Sequence, residues 1–192
     1  ILDEVFGKRP DAYLSQLGRM LDPSVQVFWT GPKVISESYP VDHLEEIALT
    51  LQRKPLIWDN WPVNDSRKLS PFLRLGPAEN RGKNLQDFIA GLVCNPMNQA
   101  ALSKWPLASL AASWQGHDAQ AAWDAATVYP PALHILMKRD LALFQDLGFD
   151  GLRTDQKAAL TADYGRFAQE PAAQEILDWL AGGYVFDPAC LT

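Results

Sequence analysis

Three short apolar runs set the limits on what this chain can fold into. Val25-Gln26-Val27-Phe28-Trp29, Pro55-Leu56-Ile57-Trp58 and Gly91-Leu92-Val93-Cys94 each have the length and the β-branched or aromatic content of a buried strand. They begin 30 and 36 residues apart, room for a crossover helix between parallel neighbours. Helical spacing fills the gaps. Leu14, Leu17 and Leu21 share one face over Asp11 to Leu21, which Asp22-Pro23 ends; Leu44, Ile47, Ala48 and Leu51 do the same over Val41 to Lys54. A third helix is predicted from Asn84 to Ala90. Three parallel strands cannot close a barrel, and a parallel sheet is stable only with both faces covered. The chain therefore reads as the last portion of a larger (β/α) fold followed by helices.

The composition changes near residue 97. From Ala100 onward, Ala-rich segments carry Trp105, Leu110, Trp114, Trp123, Leu133, Leu136, Leu143 and Phe144, with breaks at Gly116-His117-Asp118, Pro130-Pro131, Gly148 to Gly151 and Pro171. Alanine is the best helix former and the breaks fall at helix-hairpin distances, so four or five antiparallel helices are expected. The tail from Gly182-Gly183 to Thr192 reads as irregular, and Ile1-Leu2-Asp3-Glu4-Val5-Phe6 reads as the interior of a longer protein, with residues expected upstream.

Charge and rare residues exclude several functions. There are 17 Lys+Arg against 23 Asp+Glu, a net charge of −6, and no basic run to neutralise a row of phosphates, so nucleic acid is not an expected partner. No stretch approaches 18 consecutive apolar residues, so no membrane span is expected. The N-terminus lacks the basic and apolar regions of a signal peptide. Cys94 and Cys190 stand far apart and form no CxxC site. His43, His117 and His134 have no companions at metal spacing, so neither metal nor cofactor is expected. Phosphate-binding glycine loops and a GxSxG elbow are absent.

Each strand ends in a polar cluster: Trp29-Thr30-Gly31-Pro32-Lys33, then Trp58-Asp59-Asn60-Trp61-Pro62-Val63-Asn64-Asp65, then Asn95-Pro96. The C-terminal strand ends of β/α barrels face the active site, so these residues converge if the strands are parallel. Trp, Asn and Asp suit a sugar: aromatic faces stack on the apolar faces of a pyranose, and carboxylates and amides hydrogen-bond its hydroxyls. A plainer reading gives Asp59 and Asn60 the capping of a βα turn and Trp58 a place in the core. Lys33 suits an anion or open solvent equally.

Phe28-Trp29-Thr30-Gly31-Pro32-Lys33-Val34, Ile57-Trp58-Asp59-Asn60 with Asn64-Asp65, Leu75-Gly76-Pro77 with Arg81-Gly82, and Asn95-Pro96 resemble, in this order and spacing, the later part of the catalytic domain of glycoside hydrolase family 84. That family contains β-N-acetylglucosaminidases that remove O-linked N-acetylglucosamine from proteins, and bacterial relatives once called hyaluronidases. The resemblance covers roughly residues 10 to 115. It implies an α/β fold: the C-terminal part of a (β/α)8 TIM barrel over residues 1–96 and an all-α helical bundle over 97–192.

The resemblance also implies roles. Asp65 matches the carboxylate that holds the sugar's O4 and O6 hydroxyls, and Asn95 the asparagine on O6. Asn60 matches the asparagine that orients a catalytic aspartate, and Trp58 the aromatic wall of the acetamido pocket. Thr30 and Val34 match positions lining the aglycone side. Ser66 stands where close relatives carry Tyr, so no aromatic contact arises there. The family hydrolyses with help from the substrate's own acetamido oxygen, using two adjacent aspartates. This chain has no Asp-Asp dipeptide; Glu45-Glu46 is the one adjacent identical acidic pair, on the polar side of a predicted helix. The catalytic pair is thus expected upstream of Ile1. The implied partners are an N-acetylglucosamine-containing glycan or glycopeptide, the missing N-terminal half of the barrel and, through the helices, a second copy of the chain as a homodimer. The alternative is a non-catalytic sugar-binding or helical interaction module.

Overall fold

The computed structural model describes residues 7–184 and 186; the expected readings for Ile1 to Phe6, Cys190 and most of the irregular tail lie outside the described residues. The three apolar runs form a parallel sheet of β1 (Phe28–Trp29), β2 (Leu56–Asp59) and β3 (Gly91–Cys94), in that spatial order. Phe28 pairs with Leu56, Ile57 with Leu92, and Trp58 with Val93. β1 is shorter than the run that predicts it, and the bond from Leu56 N to Val27 O, 2.9 Å, extends its pairing with β2 by one step.

Before β1 comes α1 (Tyr13–Met20), and α2 (Val41–Leu51) crosses from β1 to β2. α2 buries Leu44, Ile47 and Leu51 while Glu45 and Glu46 face solvent, as their spacing predicts. Arg53 ties the two helices together: its Nη2 donates to the Gly18 and Leu21 carbonyls at 2.8 and 3.1 Å, and its Nη1 to those of Asp22 and Val25 at 2.7 and 2.8 Å. The helix predicted over Asn84 to Ala90 does not form. A 3-10 turn at Lys83–Leu85 stands there, continued by the bond from Phe88 N to Leu85 O, and Ala90 N already pairs with Pro55 O at 2.8 Å. Too few residues separate the turn from the strand for two α-helical turns.

Strand alternation gives the sheet two unlike faces. Trp29, Ile57 and Leu92 pack with Tyr39, Leu44, Leu85, Ile89 and Trp114. On the other face Phe28, Trp58 and Val93 remain 51%, 41% and 45% exposed, with Phe28 and Trp58 edge-to-face at 5.5 Å.

After β3 the chain is mainly helical: α3 (Ala100–Trp114), α4 (Ala119–Ala125), α5 (Pro131–Arg139), α6 (Gly148–Gly151), α7 (Thr154–Gly165) and α8 (Pro171–Leu180), with a π-helical stretch at Leu143–Leu147 leading into α6. Breaks fall as expected at Gly116 to Asp118, at Pro130 and before Pro171, but Gly148 to Gly151 is itself helical and the break comes after it. The core of this part is aromatic. Trp105 and Trp123 stack at 4.2 Å, and Phe144, Tyr164 and Trp179 pack beyond them. Leu73 and Leu75 from the long β2–β3 connection belong to the same cluster. Trp123 Nε1 donates to Leu75 O at 2.6 Å and Phe149 N to Pro71 O at 2.7 Å, so that connection is threaded among the helices. No described helix is long and apolar enough to cross a membrane.

Candidate functional site

Asn60 organises the C-terminal ends of the strands. It follows β2 directly and is 4% exposed. Its Oδ1 accepts from Trp58 Nε1 at 2.9 Å and from Asn95 Nδ2 at 3.2 Å, while its Nδ2 donates to Val34 O at 2.8 Å. Asn95 follows β3 and lies on the same sheet face as Trp58, so the parallel register brings these groups together. Four of the six candidates from the sequence therefore meet around one amide. Neither plainer reading applies to Trp58 or Asn60: the indole is 41% exposed, and the amide binds side chains and a distant carbonyl instead of capping its own turn.

Thr30 and Val34 sit on the loop after β1 and line a groove of about 820 Å³ along the sheet's edge, with Tyr13, Phe28, Trp29 and His43 around it. Ser36 holds that loop. Its hydroxyl lies 2.8 Å from Thr30 O and 3.0 Å from Lys33 O and accepts from Lys33 N at 3.1 Å. Gly31 has φ +90, and a Cβ there would fall 2.5 Å from the Ser36 oxygen, so the turn requires glycine. Lys33 is exposed.

Asp65 comes five residues after Asn60, on the loop that leaves β2. It is half-buried and lines a separate recess of about 480 Å³ with Asn98, Gln99, Glu175, Asp178 and Trp179. Its neighbour Asn64 is 1% exposed and fixes the loop to the start of α3: Nδ2 donates to Gln99 Oε1 at 2.7 Å and Oδ1 accepts from Asn98 N at 2.9 Å. Ser66, also buried, accepts from Leu69 N at 3.2 Å and starts a turn.

The sequence reading missed Arg81. It is 5% exposed and pairs with Asp59, which is fully buried at the end of β2: Nε to Oδ2 is 2.5 Å and Nη2 to Oδ1 is 3.2 Å. Asp59 is thus half of a bidentate ion pair and caps nothing. The one available signal was the pattern Gly76-Pro77 to Arg81-Gly82 itself, because a buried aspartate at a strand end needs a cation and nothing local supplies it.

The electrostatics favour recognition over nucleophilic chemistry. Burial pushes the Cys94 thiol up, so it stays protonated beside the site. Burial, and then the Asp59 charge, raise Tyr39 well above the ordinary phenol range. Among the described residues no group of His, Cys, Asp and Glu is arranged to hold a metal ion. What the strand ends present is an aromatic edge, one amide bound on three sides and a second amide, Asn95, whose Nδ2 is engaged and whose Oδ1 accepts from none of the described residues. Such a set offers donors and acceptors that match the hydroxyls of a neutral ligand.

A family model described as beta-N-acetylglucosaminidase matches residues 2–140, well over half of the chain. The chain belongs to that family. Over 84 residues it is 40% identical to the protein O-GlcNAcases of Rattus norvegicus and Mus musculus, a match covering 44% of this chain and 9% of each relative. It is also similar to the solved structure of an O-GlcNAc hydrolase mutant from Thermobaculum terrenum, with a TM-score of 0.61, 28% identity, and coverage of 88% of this chain and 44% of that one. The chain thus spans less than half the length of each relative. The membership agrees with the family 84 resemblance carried by the strand-end motifs.

Proposed function

We propose that this chain is the sugar-recognition part of a retaining β-N-acetylglucosaminidase acting on terminal N-acetylglucosamine, O-linked on protein, with substrate-assisted catalysis. The observation that carries this reading is the Asn60 group: Trp58, Asn95 and the Val34 carbonyl gathered by one buried amide at the C-terminal ends of parallel strands. In a β/α barrel that end bears the active site. The uncovered face with Phe28, Trp58 and Val93 is the face that points inward when further strands close a barrel. Residues 1–96 are accordingly the C-terminal part of a (β/α)8 barrel and 97–192 a helical bundle, with Leu73 and Leu75 of the first part lent to the core of the second.

In this reading Trp58 walls the acetamido pocket and Asn60 uses its second Nδ2 hydrogen to hold the carboxylate that polarises the acetamido group. Asn95 Oδ1 accepts from O6, Asp65 accepts from O4 and O6, and Thr30 and Val34 line the aglycone side. This reading assigns the acid pair that performs the chemistry to polypeptide outside this segment, which carries no Asp-Asp dipeptide and whose Asp59 is already paired with Arg81. Two adjacent carboxylates in one pocket drive their pKa values apart, which gives one acid and one base.

The test is Asp65→Ala in the complete enzyme. Two charge-assisted hydrogen bonds are at stake, each worth about 1.5–3 kcal/mol. Because remote binding energy also positions the reacting centre, kcat/KM for an aryl N-acetylglucosaminide falls by roughly 10²-fold or more, and binding of an N-acetylglucosamine-like inhibitor weakens comparably. A folded variant that binds such an inhibitor within about threefold of the parent, less than the loss of one such bond, removes Asp65 from the site.

A further inference from the structure

We infer that Arg81 is a positioning residue that locks the loop after β1 onto the end of β2, and so sets the spacing between the two halves of the site. This rests on the reading of the strand ends as a sugar site. A guanidinium has five N–H donors, and here each has an acceptor. Nε and Nη2 take the two Asp59 oxygens, Nη2 also donates to Ser36 O at 2.7 Å, and Nη1 donates to Glu79 O at 2.9 Å and Glu37 O at 3.3 Å. These acceptors come from three separate stretches of chain. The ring of Trp61 lies 5.2 Å from the guanidinium carbon and that of Tyr39 5.9 Å, so the group is also held by aromatic neighbours.

The consequence follows from what is attached at each end. Asp59 sits between Trp58 and Asn60 and on the opposite sheet face, so fixing its carboxylate fixes the rotation of the strand end that aims both. Ser36 is held by its carbonyl to Arg81 and by its hydroxyl to the Thr30 and Lys33 backbone, so the loop that carries Thr30 and Val34 is tied through it. Lysine cannot replace this. A point charge with three donors cannot span a carboxylate and three carbonyls in one plane. Arg81 touches neither the groove nor the recess, and acts through the residues it holds.

Arg81→Lys in the complete enzyme tests this, with Ser36→Ala as a milder cut on the same loop that leaves the Asp59 pair intact. For Arg81→Lys, kcat/KM falls at least tenfold, because misplacing a bound substrate by about 1 Å costs on the order of 10²-fold. The loss is larger for a glycopeptide than for an aryl N-acetylglucosaminide, since the loop lines the aglycone side. Amide hydrogen exchange of residues 30–37 quickens in both variants while that of α7 is unchanged. Ser36→Ala shows the same substrate ranking with a smaller loss. If either folded variant keeps parental exchange over residues 30–37, or loses equally on both substrates, the inference is overturned. Should the parent enzyme hydrolyse no N-acetylglucosaminide, the functional reading fails, and hydrogen exchange still decides whether Arg81 holds the loop.

Discussion

Replacing Asn60 with alanine removes three hydrogen bonds at once, and the structure shows which stranded partner costs most. Trp58 is 41% exposed and Asn95 is half-buried, so both freed N–H groups reach water. The Val34 carbonyl belongs to a residue only 7% exposed, and it loses its donor without replacement. A typical bond contributes about 0.5–1.5 kcal/mol net, and a buried group left unpaired costs about 1–3 kcal/mol. With two partners recovering most of their loss in water, Asn60→Ala destabilises by roughly 2–4 kcal/mol. Each kcal/mol shifts the midpoint by about 2–4 °C for a protein of this size, so Tm falls by roughly 5–15 °C in a calorimetric scan. Asn60→Asp keeps the acceptors for Trp58 and Asn95 but turns a buried carboxylate oxygen onto the Val34 carbonyl, and destabilises at least as much as the alanine variant. An Asn60→Ala protein melting within about 1 °C of the parent, under 0.5 kcal/mol on the same conversion, would refute the idea that this amide holds the strand ends together.

Two further predictions concern the helices. Burial, then the nearby Lys138 charge, hold His134 below its ordinary pKa of 6.5 against the opposing pull of Asp124; its ring packs on Trp105 and its Nε2 has no hydrogen-bond partner among the described residues. The unfolded chain takes up this proton first, so stability is undiminished above pH 6.5 and declines as pH falls from there toward the lower folded value. His134→Phe flattens the Tm-against-pH curve between pH 7 and 5, and an unchanged slope contradicts this. Glu175 of α8 accepts from Ala101 N and Leu102 N, each at 2.9 Å, and so caps α3 from another helix. Glu175→Ala costs about 1–3 kcal/mol by urea unfolding, Glu175→Gln recovers part of that, and equal losses in the two variants would argue against capping.

The parts of this fold legible in the sequence are those set by periodicity. β2 and β3 follow from uninterrupted apolar runs, and α2 from Leu44, Ile47 and Leu51. The Asn60–Asn95 meeting was legible too, because both residues leave parallel strands on one face and the spacing implies parallel pairing. The segment before β3 was misread because Leu85 and Ile89 lie at helical spacing, yet both are buried from a chain of turns. Arg81 left no periodic trace: it sits in an irregular stretch, and its partners Asp59 and Ser36 lie 22 and 45 residues away. Asp65 was legible as a motif residue, but its placement beside Glu175 and Trp179 depends on tertiary packing that no local pattern encodes.

The threading of the β2–β3 connection through the helices bears on modularity. Asp65 leaves the sheet, and within ten residues the same stretch has become core to the helical part through Leu73 and Leu75, pinned by the indoles of Trp123 and, at Ser70, Trp179. The two halves therefore cannot be recombined as interchangeable parts. A cut near residue 97 strands two core leucines on one side and leaves two tryptophans without their carbonyls on the other. A substitution deep among these helices therefore reaches the recess at Asp65 in two ways, through Glu175, Asp178 and Trp179 that line it and through the stretch from Asp65 to Leu75 that the helices hold.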